Sequence, residues 1–149
     1  MSAEIALPAR VAFEIMGQPI RITEQQHKFG GYKRNGQAIV YRGAGLKTAR
    51  NDLLIEMMPY KPKEPFEGPL VLEVDWFFGT KDKRKIADHW KITRPDTDNM
   101  IKGLKDCLTE AGFWKDDAQV VLERLKKAWV PIDQARTSIV ITPAKEFFG

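Results

Sequence analysis

The stretch that decides the fold is RPDTDNMIKGLKD (residues 94–106), followed closely by WKDD (residues 114–117). Pro95 disfavours helix at the residue before it and fits a first turn, so a helix is predicted from about Asp98. Its apolar side chains recur at helical spacing, at Ile101, Leu104, Leu108 and Ala111. Gly112 is predicted to end this helix, because glycine adopts the left-handed conformation of a helix C-terminus.

The same stretch is rich in carboxylates. Asp96 and Asp98 stand at the predicted helix start, where the helix dipole favours anions. The short segment after Gly112 could fold back and bring Asp116 or Asp117 towards them. Carboxylates that converge repel each other, so a stable cluster calls for bound cations. All-oxygen ligands select hard ions such as Mg²⁺ or Mn²⁺.

A simpler interpretation needs no metal. An Asp just after Pro at a helix start is commonly an N-cap, and an Asp-Asp pair before a strand is commonly a turn. Asp98, Lys102 and Asp106 stand four residues apart and could form a solvated ladder of charges. Capping needs one carboxylate, however, and this segment offers two at the helix start, one along it and a pair beyond it.

The combined pattern resembles the signature of the RusA family of Holliday-junction resolvases in residue type, spacing and order. The matching residues are D-x-DN-x-x-K-x-x-x-D-x-L (residues 96–108) and GFW-x-DD-x-QV (residues 112–120). The resemblance is dense from Arg94 to Val121 and looser elsewhere. It implies a mixed sheet packed with helices, and an enzyme that cuts branched DNA.

The resemblance also implies roles for individual residues. Three are implied to be both catalytic and metal-binding: Asp96, Asp98 and Asp117. Lys102 would stabilise charge that develops on the phosphate, and Asp106 and Asp116 are possible supporting residues. The implied cofactor is Mg²⁺, with Mn²⁺ as a possible substitute and no nucleotide cofactor. Because a four-way junction is cut in two strands, the resemblance implies a two-fold homodimer.

A basic segment, residues 81–94, directly precedes the acidic stretch. Its cations are Lys81, Lys83, Arg84, Lys85, Lys91 and Arg94, against the acids Asp82 and Asp88. Six minus two leaves +4, which equals the net charge of +4 of the whole chain. Charge runs are usually solvated, mobile loops. The position of this one favours a segment that binds DNA phosphates.

Composition sets wider bounds. With 149 residues, 43% hydrophobic and 30% charged, the chain is predicted to be a single domain, residues 1–149, of a soluble globular protein. The single cysteine, Cys107, excludes an intramolecular disulfide and is predicted to be a small buried hydrophobe. Two histidines make a Cys/His zinc site implausible. There is no signal-peptide pattern and no apolar run near ~20 residues, so we expect a cytoplasmic protein without a membrane span.

Periodicity outlines the remaining elements. Strands are predicted at residues 11–16, 37–41, 70–78, 119–130 and 136–142, and a further helix at 46–58. Residues 21–35 are predicted to be a long loop, 59–65 an extended linker and 143–149 a short tail. Residues 131–135 would connect the last two strands, which could pair as a hairpin. The predicted fold class is therefore α/β (α+β), a mixed sheet with helices packed against it.

Three functions stay open at this point. The first is a Mg²⁺-dependent endonuclease that resolves Holliday junctions by paired nicks. The second keeps the same site but takes another branched DNA, such as flaps or forks. The third is a non-catalytic DNA-binding protein in which the acids only cap a helix.

Overall fold

A computed structural model of the chain describes residues 9–21, 27–32, 38–42 and 44–149, with side chains for residues 9–21 and 48–149. The strands are β1 (Val11–Met16), β2 (His27–Tyr32), β3 (Ala38–Arg42), β4 (Leu70–Thr80), β5 (Val120–Pro131) and β6 (Arg136–Pro143). The helices are α1 (Ala44–Met57), α2 (Lys83–Asp88), α3 (Thr97–Ala111) and α4 (Ala144–Phe148).

The main sheet has four strands in the order β1-β6-β4-β5. β4 pairs in parallel with β5 and antiparallel with β6, and β6 pairs antiparallel with β1. β2 and β3 form a separate antiparallel pair. The central position of β4 follows from its sequence, because every second side chain is apolar and fully buried. These side chains, each at most 3% exposed, are Leu70, Leu72, Val74, Trp76 and Phe78.

Two helices cover one face of this sheet. The apolar stripe of α3 is buried as its spacing predicts, and α1 adds Leu53 and Met57 to the same core. Cys107 lies within this core with no exposed surface, which confirms its prediction as a small buried hydrophobe. Gly112 ends α3 in the left-handed conformation, at a φ of 89°, and its N–H bonds the carbonyls of Leu108 and Thr109. The predicted fold class, a mixed sheet with helices against it, is confirmed.

The predicted hairpin between the last two strands is wrong. β5 and β6 lie on opposite sides of β4, so β4 separates them. Their connection is a short 3-10 turn, Ile132–Gln134, which crosses the end of β4. Gly79 makes this crossing possible, because a Cβ there would lie 2.8 Å from the Cα of Ile132. A parallel β4–β5 pair is also what a strand–helix–strand order ordinarily produces.

Three smaller predictions also differ from the structure. The loop predicted at residues 21–35 contains β2, while residues 22–26 and 33–37 lie outside the described residues. The basic segment contains the short helix α2 and is not entirely a loop, and the tail contains α4. Among the helices that the structure describes, none is long and apolar enough to cross a membrane.

Candidate active site

Two carboxylates stand exposed at the beginning of α3. Asp96 occupies the N-cap position, and its carbonyl accepts the first helical hydrogen bond from the Met100 N–H at 3.1 Å. Its side chain makes no capping hydrogen bond. Asp98 follows in the first turn, and both residues are exposed. The carboxylate of Asp96 therefore does not serve as a cap, which removes the simpler interpretation at this position.

Two lysines hold the backbone that leads into this helix. The Nζ of Lys91 donates to the Oγ1 of Thr93 and to the carbonyl of Arg94, both at 2.6 Å. The Nζ of Lys127, from β5, donates to the carbonyls of Thr93 and Pro95 at 2.9 and 2.8 Å. Charged donors make strong hydrogen bonds. The chain is thus tied to β5 one residue before the first carboxylate.

Lys91 was predicted to bind DNA phosphates, and the structure corrects this assignment. Its side chain is only 5% exposed, and its Nζ lies 5.0 Å from the ring centre of Phe78 and 4.7 Å from that of Trp129. Burial, followed by the positive charges of Lys127, Arg21 and Lys85, lowers the pKa of Lys91 to about 8. An ammonium enclosed in this way supports the loop and does not face a phosphate.

The other cations of the basic segment remain exposed. Asp82 caps α2, accepting from the N–H groups of Arg84 and Lys85 at 2.9 and 3.5 Å. The exposed cations are Lys81, Lys83, Arg84, Lys85 and Arg94. Lys85 also lies 4.7 Å from the ring centre of Trp129 near the end of β5. This end of the molecule, which includes the start of α3, therefore carries a positive surface, and phosphate binding there stays a prediction.

The Asp-Asp pair lies beyond the other end of α3. Asp116 caps a 3-10 turn at Asp117–Gln119, accepting from the Ala118 N–H at 2.9 Å and sharing a capping box with Gln119. Asp116 is therefore a structural cap, and both Asp116 and the adjacent Asp117 are exposed. The Nε1 of Trp114 donates to the Oγ1 of Thr109 at 2.7 Å, which ties this segment to the last turns of α3.

An acidic cleft surrounds Asp117. Its lining residues are Arg50, Asp106, Thr109, Glu110, Lys115, Asp116 and Asp117. Arg50 bonds Glu110 at 2.6 Å and so connects α1 to the cleft. The structure thus brings Asp106, Asp116 and Asp117 together, but it does not bring them to Asp96 and Asp98.

The distance between the two groups of carboxylates follows from the lengths of α3 and β5. Asp98 and Asp106 are eight residues apart on one helix, which is about 12 Å at 1.5 Å per residue. β5 begins shortly after Asp117, and its residue Lys127 contacts the loop that precedes Asp96. The seven residue steps from Val120 to Lys127 span about 23 Å. Asp96 and Asp117 therefore lie on the order of 20 Å apart in one chain.

The expected convergence of three carboxylates is therefore wrong for a single chain. Within the described part of the molecule, no group of three or more His, Cys, Asp or Glu side chains could hold a metal ion. The donors have the right chemistry for a hard cation, but one chain does not bring them together. The fold-back after Gly112 does occur, yet it returns the chain along β5 and leaves Asp117 at the far end.

Two residues of this region were not singled out from the sequence. Glu110 lies four residues after Asp106, so the i, i+4 spacing could have placed it beside the cleft. Lys127 could not have been found, because its role depends on the parallel pairing that carries β5 past the start of α3. Cys107 is excluded as a nucleophile, because burial raises its pKa to about 11.

Comparison with known proteins identifies the class. The model of the family described as "Endodeoxyribonuclease RusA" matches residues 19–142. A crossover junction endodeoxyribonuclease, RusA, of Lactococcus phage r1t is 38% identical over 132 residues, covering 87% of this chain and 94% of the relative. Uncharacterized protein YqaN of Bacillus subtilis is 26% identical over 141 residues, covering 88% and 94%.

A shorter match is to a relative from a bacterium. RusA of Escherichia coli K12, a crossover junction endodeoxyribonuclease, is 48% identical over 50 residues, covering 33% of this chain and 40% of the relative. With the phage relative matched over most of both chains, the class is that of DNA endonucleases. The chain belongs to the RusA family.

Proposed function

We propose that this protein is a crossover-junction endodeoxyribonuclease that resolves Holliday junctions by paired, symmetric nicks. The observation that carries the proposal is the start of α3, where exposed Asp96 and Asp98 follow a loop tied down by Lys91 and Lys127. The backbone before this carboxylate pair is restrained and the Asp96 side chain makes no capping hydrogen bond, which supports a role in binding a ligand. Family membership supplies the reaction class.

Membership of this nuclease family implies a divalent metal. We propose that it is Mg²⁺, with Mn²⁺ as a substitute, because the available ligands are all carboxylate oxygens. When bound, such an ion activates water and neutralises charge on the phosphate. The proposed ligands are Asp96, Asp98 and Asp117, of which one chain brings only Asp96 and Asp98 to the same end of α3.

The chain's own residues supply binding and electrostatics. Lys102 stands one turn after Asp98 and is exposed, so it is suited to stabilising charge on the scissile phosphate. Asp106 lines the cleft around Asp117 and is a supporting residue. The exposed cations beside the start of α3 are proposed to bind the phosphates of the DNA arms, which makes binding depend strongly on salt.

The proposed assembly follows from the reaction. A junction is resolved by two cuts in strands related by two-fold symmetry, so a homodimer with one site per cut fits the substrate. The proposal also takes residues 1–149 as one domain that acts on DNA in the cytoplasm. A flap or fork nuclease would use the same residues but would need only one cut.

Cleavage of synthetic DNA tests this proposal. A four-way junction, a flap and a linear duplex of matched sequence are incubated with the protein in Mg²⁺ and in EDTA. We expect symmetric nicks in the junction alone, only with Mg²⁺, and their loss in Asp98→Asn. Asp133→Asn, an exposed carboxylate in the turn after β5, is the matched control and should cut normally. If the protein binds the junction but does not cut it with each divalent ion tried, the proposal is wrong. Preferred cutting of flaps would instead favour a nuclease for other branched DNA.

A further inference from the structure

Two apolar side chains stand exposed within the basic segment. Trp90 is 56% exposed and Ile92 is 92% exposed, which makes Ile92 the most exposed large hydrophobic residue in the described part of the molecule. Between them, Lys91 is only 5% exposed. This alternation is that of an extended chain, in which neighbouring side chains take opposite faces. Trp90 and Ile92 therefore form an apolar pair on the same outer side, while Lys91 anchors the segment from within.

The backbone that carries Trp90 is fixed in place. The Trp90 N–H bonds the Asp88 carbonyl at 2.8 Å, and an isolated bridge joins Trp90 to Ala128 of β5. The preceding residue, His89, has a positive φ of 69°, which is uncommon outside glycine. The His89 and Trp90 rings also meet at a steep angle of 65°, with their centres 4.6 Å apart. Strained backbone of this kind concentrates at binding sites, so the position of the exposed indole ring points to a ligand.

Exposed cations lie on both sides of the apolar pair. The end of α2 precedes the pair, and the Lys85 carbonyl accepts the His89 N–H at 2.9 Å. Arg94 follows the pair, two residues after Ile92. The exposed cations on the two sides are Lys83, Arg84, Lys85 and Arg94, against the acids Asp82 and Asp88. The charge around the pair therefore matches a polyanion, and the family to which this chain belongs acts on DNA.

The apolar pair lies close to the start of α3. A fully extended chain would place Ile92 at most about 14 Å and Trp90 at most about 21 Å from Asp96. The path is shorter than this, because the Lys91 Nζ bonds the Arg94 carbonyl at 2.6 Å and draws the loop together. A DNA strand advances about 3.4 Å per base, so a base in contact with the pair lies within about six bases of a phosphate at Asp96.

A branch point in DNA offers base faces that a duplex hides. Within a duplex each base is stacked on both faces, whereas at a branch point the stack is interrupted and a base is displaced at lower cost. Aromatic side chains bind displaced bases by stacking, and Ile is among the residues that proteins insert between base steps. A second copy of the chain fits the pair less well. A two-fold contact there would set the cations of one copy against those of the other.

We propose that Trp90 stacks on a base displaced at the branch point of a DNA junction, with Ile92 inserted beside it. The exposed cations on both sides bind the phosphates that flank the branch. The inference rests on the proposed function, because it names a contact that sets the specificity of the same reaction. The pair selects branched DNA over duplex DNA and takes no part in hydrolysis.

Binding in EDTA tests the apolar pair without cleavage. The affinity of the full chain is measured for a four-way junction and for a linear duplex of matched sequence, over a range of salt concentrations. Trp90→Ala should weaken junction binding by about 10-fold, within the range that base stacking supplies. Duplex affinity and the salt dependence of binding should not change, because no phosphate contact is lost.

Further variants separate stacking from a loss of structure. Trp90→Phe keeps an aromatic ring and should restore most of the junction affinity, whereas Trp90→Leu should not. Ile92→Ala changes a residue that is almost fully exposed, so it should fold normally and weaken junction binding by about 5-fold. Phe148→Ala is the control, because Phe148 is an aromatic residue that is 66% exposed in α4. This control should bind both DNA forms as the wild type does.

Several outcomes would overturn the inference. These are an equal loss of junction and duplex affinity in Trp90→Ala, a Trp90→Leu protein that binds as well as Trp90→Phe, and wild-type junction affinity in both Trp90→Ala and Ile92→Ala. A Trp90→Ala protein with a changed oligomeric state in analytical ultracentrifugation would assign the pair to an interface between copies instead. A wild-type protein that prefers junctions in EDTA but cuts none with divalent ions would overturn the proposed function, and the expected losses in the variants would still support the contact.

Discussion

Replacing Lys91 with Met removes a buried ammonium beneath the loop that leads into α3. Its hydrogen bond to the Arg94 carbonyl, at 2.6 Å, has no evident replacement. The Thr93 carbonyl keeps its bond from Lys127 at 2.9 Å, and Thr93 itself is exposed, so water can reach its hydroxyl. A lost hydrogen bond from a charged donor costs about 1.5–3 kcal/mol. The substitution therefore frees one end of the loop that positions Asp96.

An opposing contribution comes from the charge itself. The pKa of Lys91 falls from 10.5 to about 8, mainly through burial, which corresponds to about 3 kcal/mol of destabilisation of the charged form. Met avoids that penalty and has a similar length. We therefore expect the free energy of unfolding of Lys91→Met at pH 7 to stay within about 2 kcal/mol of wild type. Cleavage should fall by about 10²-fold, because small displacements of a reacting group are costly.

The assays are urea denaturation, cleavage at saturating junction concentration, and junction affinity as a function of salt. Lys83→Met is the matched control, because Lys83 is exposed in the same segment. In the control, the negative slope of log affinity against log salt concentration should become shallower by about 0.9, because one phosphate contact is lost. Lys91→Met should leave that slope unchanged. If Lys91→Met makes the salt dependence of junction affinity shallower but cuts normally at saturation, Lys91 binds a phosphate and does not support the loop from a buried position.

The same residue predicts a pH dependence. Between about pH 8 and 10.5 the unfolded chain keeps a proton on Lys91 that the folded chain has released. Stability rises with pH wherever the unfolded state binds more protons. The wild-type protein should therefore gain up to about 3 kcal/mol relative to Lys91→Met across this window. Below pH 8 the difference should be constant, and a difference that falls as the pH rises would contradict the assignment.

Three further substitutions test separate parts of the account. Lys102→Met should lower the cleavage rate by about 10²–10³-fold without weakening junction binding, measured in single-turnover assays; an equal loss of affinity would make Lys102 a binding residue. Arg84→Gln should make the negative slope of log affinity against log salt shallower by about 0.9, and an unchanged slope would mean that Arg84 does not contact a DNA phosphate. Gly79→Ala sets a Cβ 2.8 Å from the Ile132 Cα and should reduce the free energy of unfolding by about 1–3 kcal/mol. An unchanged urea midpoint would mean that the turn shifts freely.

Local pattern was sufficient to predict much of the fold. The sequence predicts β1 with its observed bounds, and α3 begins one residue before Asp98 and ends at Ala111, just before Gly112, as expected. The burial of every second residue of β4 follows from its alternation. These features depend on neighbours in the sequence, which is why periodicity and end signals find them.

Long-range pairing was not predictable in the same way. Residues 119–130 and 136–142 read as two strands with a short connection, which favours a hairpin. The observed parallel pairing of β5 with β4 depends on Gly79, whose lack of a side chain lets the connection cross. The position of Asp117 depends on that pairing. Spacing in the sequence therefore predicts that Asp117 lies close to Asp96, whereas in the structure the length of β5 separates the two residues.

Charge in the sequence also did not distinguish exposed from buried lysines. Lys83 and Lys91 belong to the same basic segment, yet Lys83 is exposed and Lys91 is buried, with only 5% of its surface exposed. The difference arises because residues 89–91 pair with the end of β5, and Lys91 then lies against Phe78 and Trp129. No feature within residues 81–94 distinguishes the two lysines.

Cleavage of a supercoiled plasmid that extrudes a cruciform tests the central claim most directly. The cruciform is a four-way junction that disappears once one nick relaxes the supercoil. A dimer that makes both cuts while bound converts the plasmid to linear DNA, and we predict linear product that requires Mg²⁺ and is lost in Asp98→Asn. Nicked circles as the only product, or no cutting under any divalent ion, would contradict a junction-resolving enzyme.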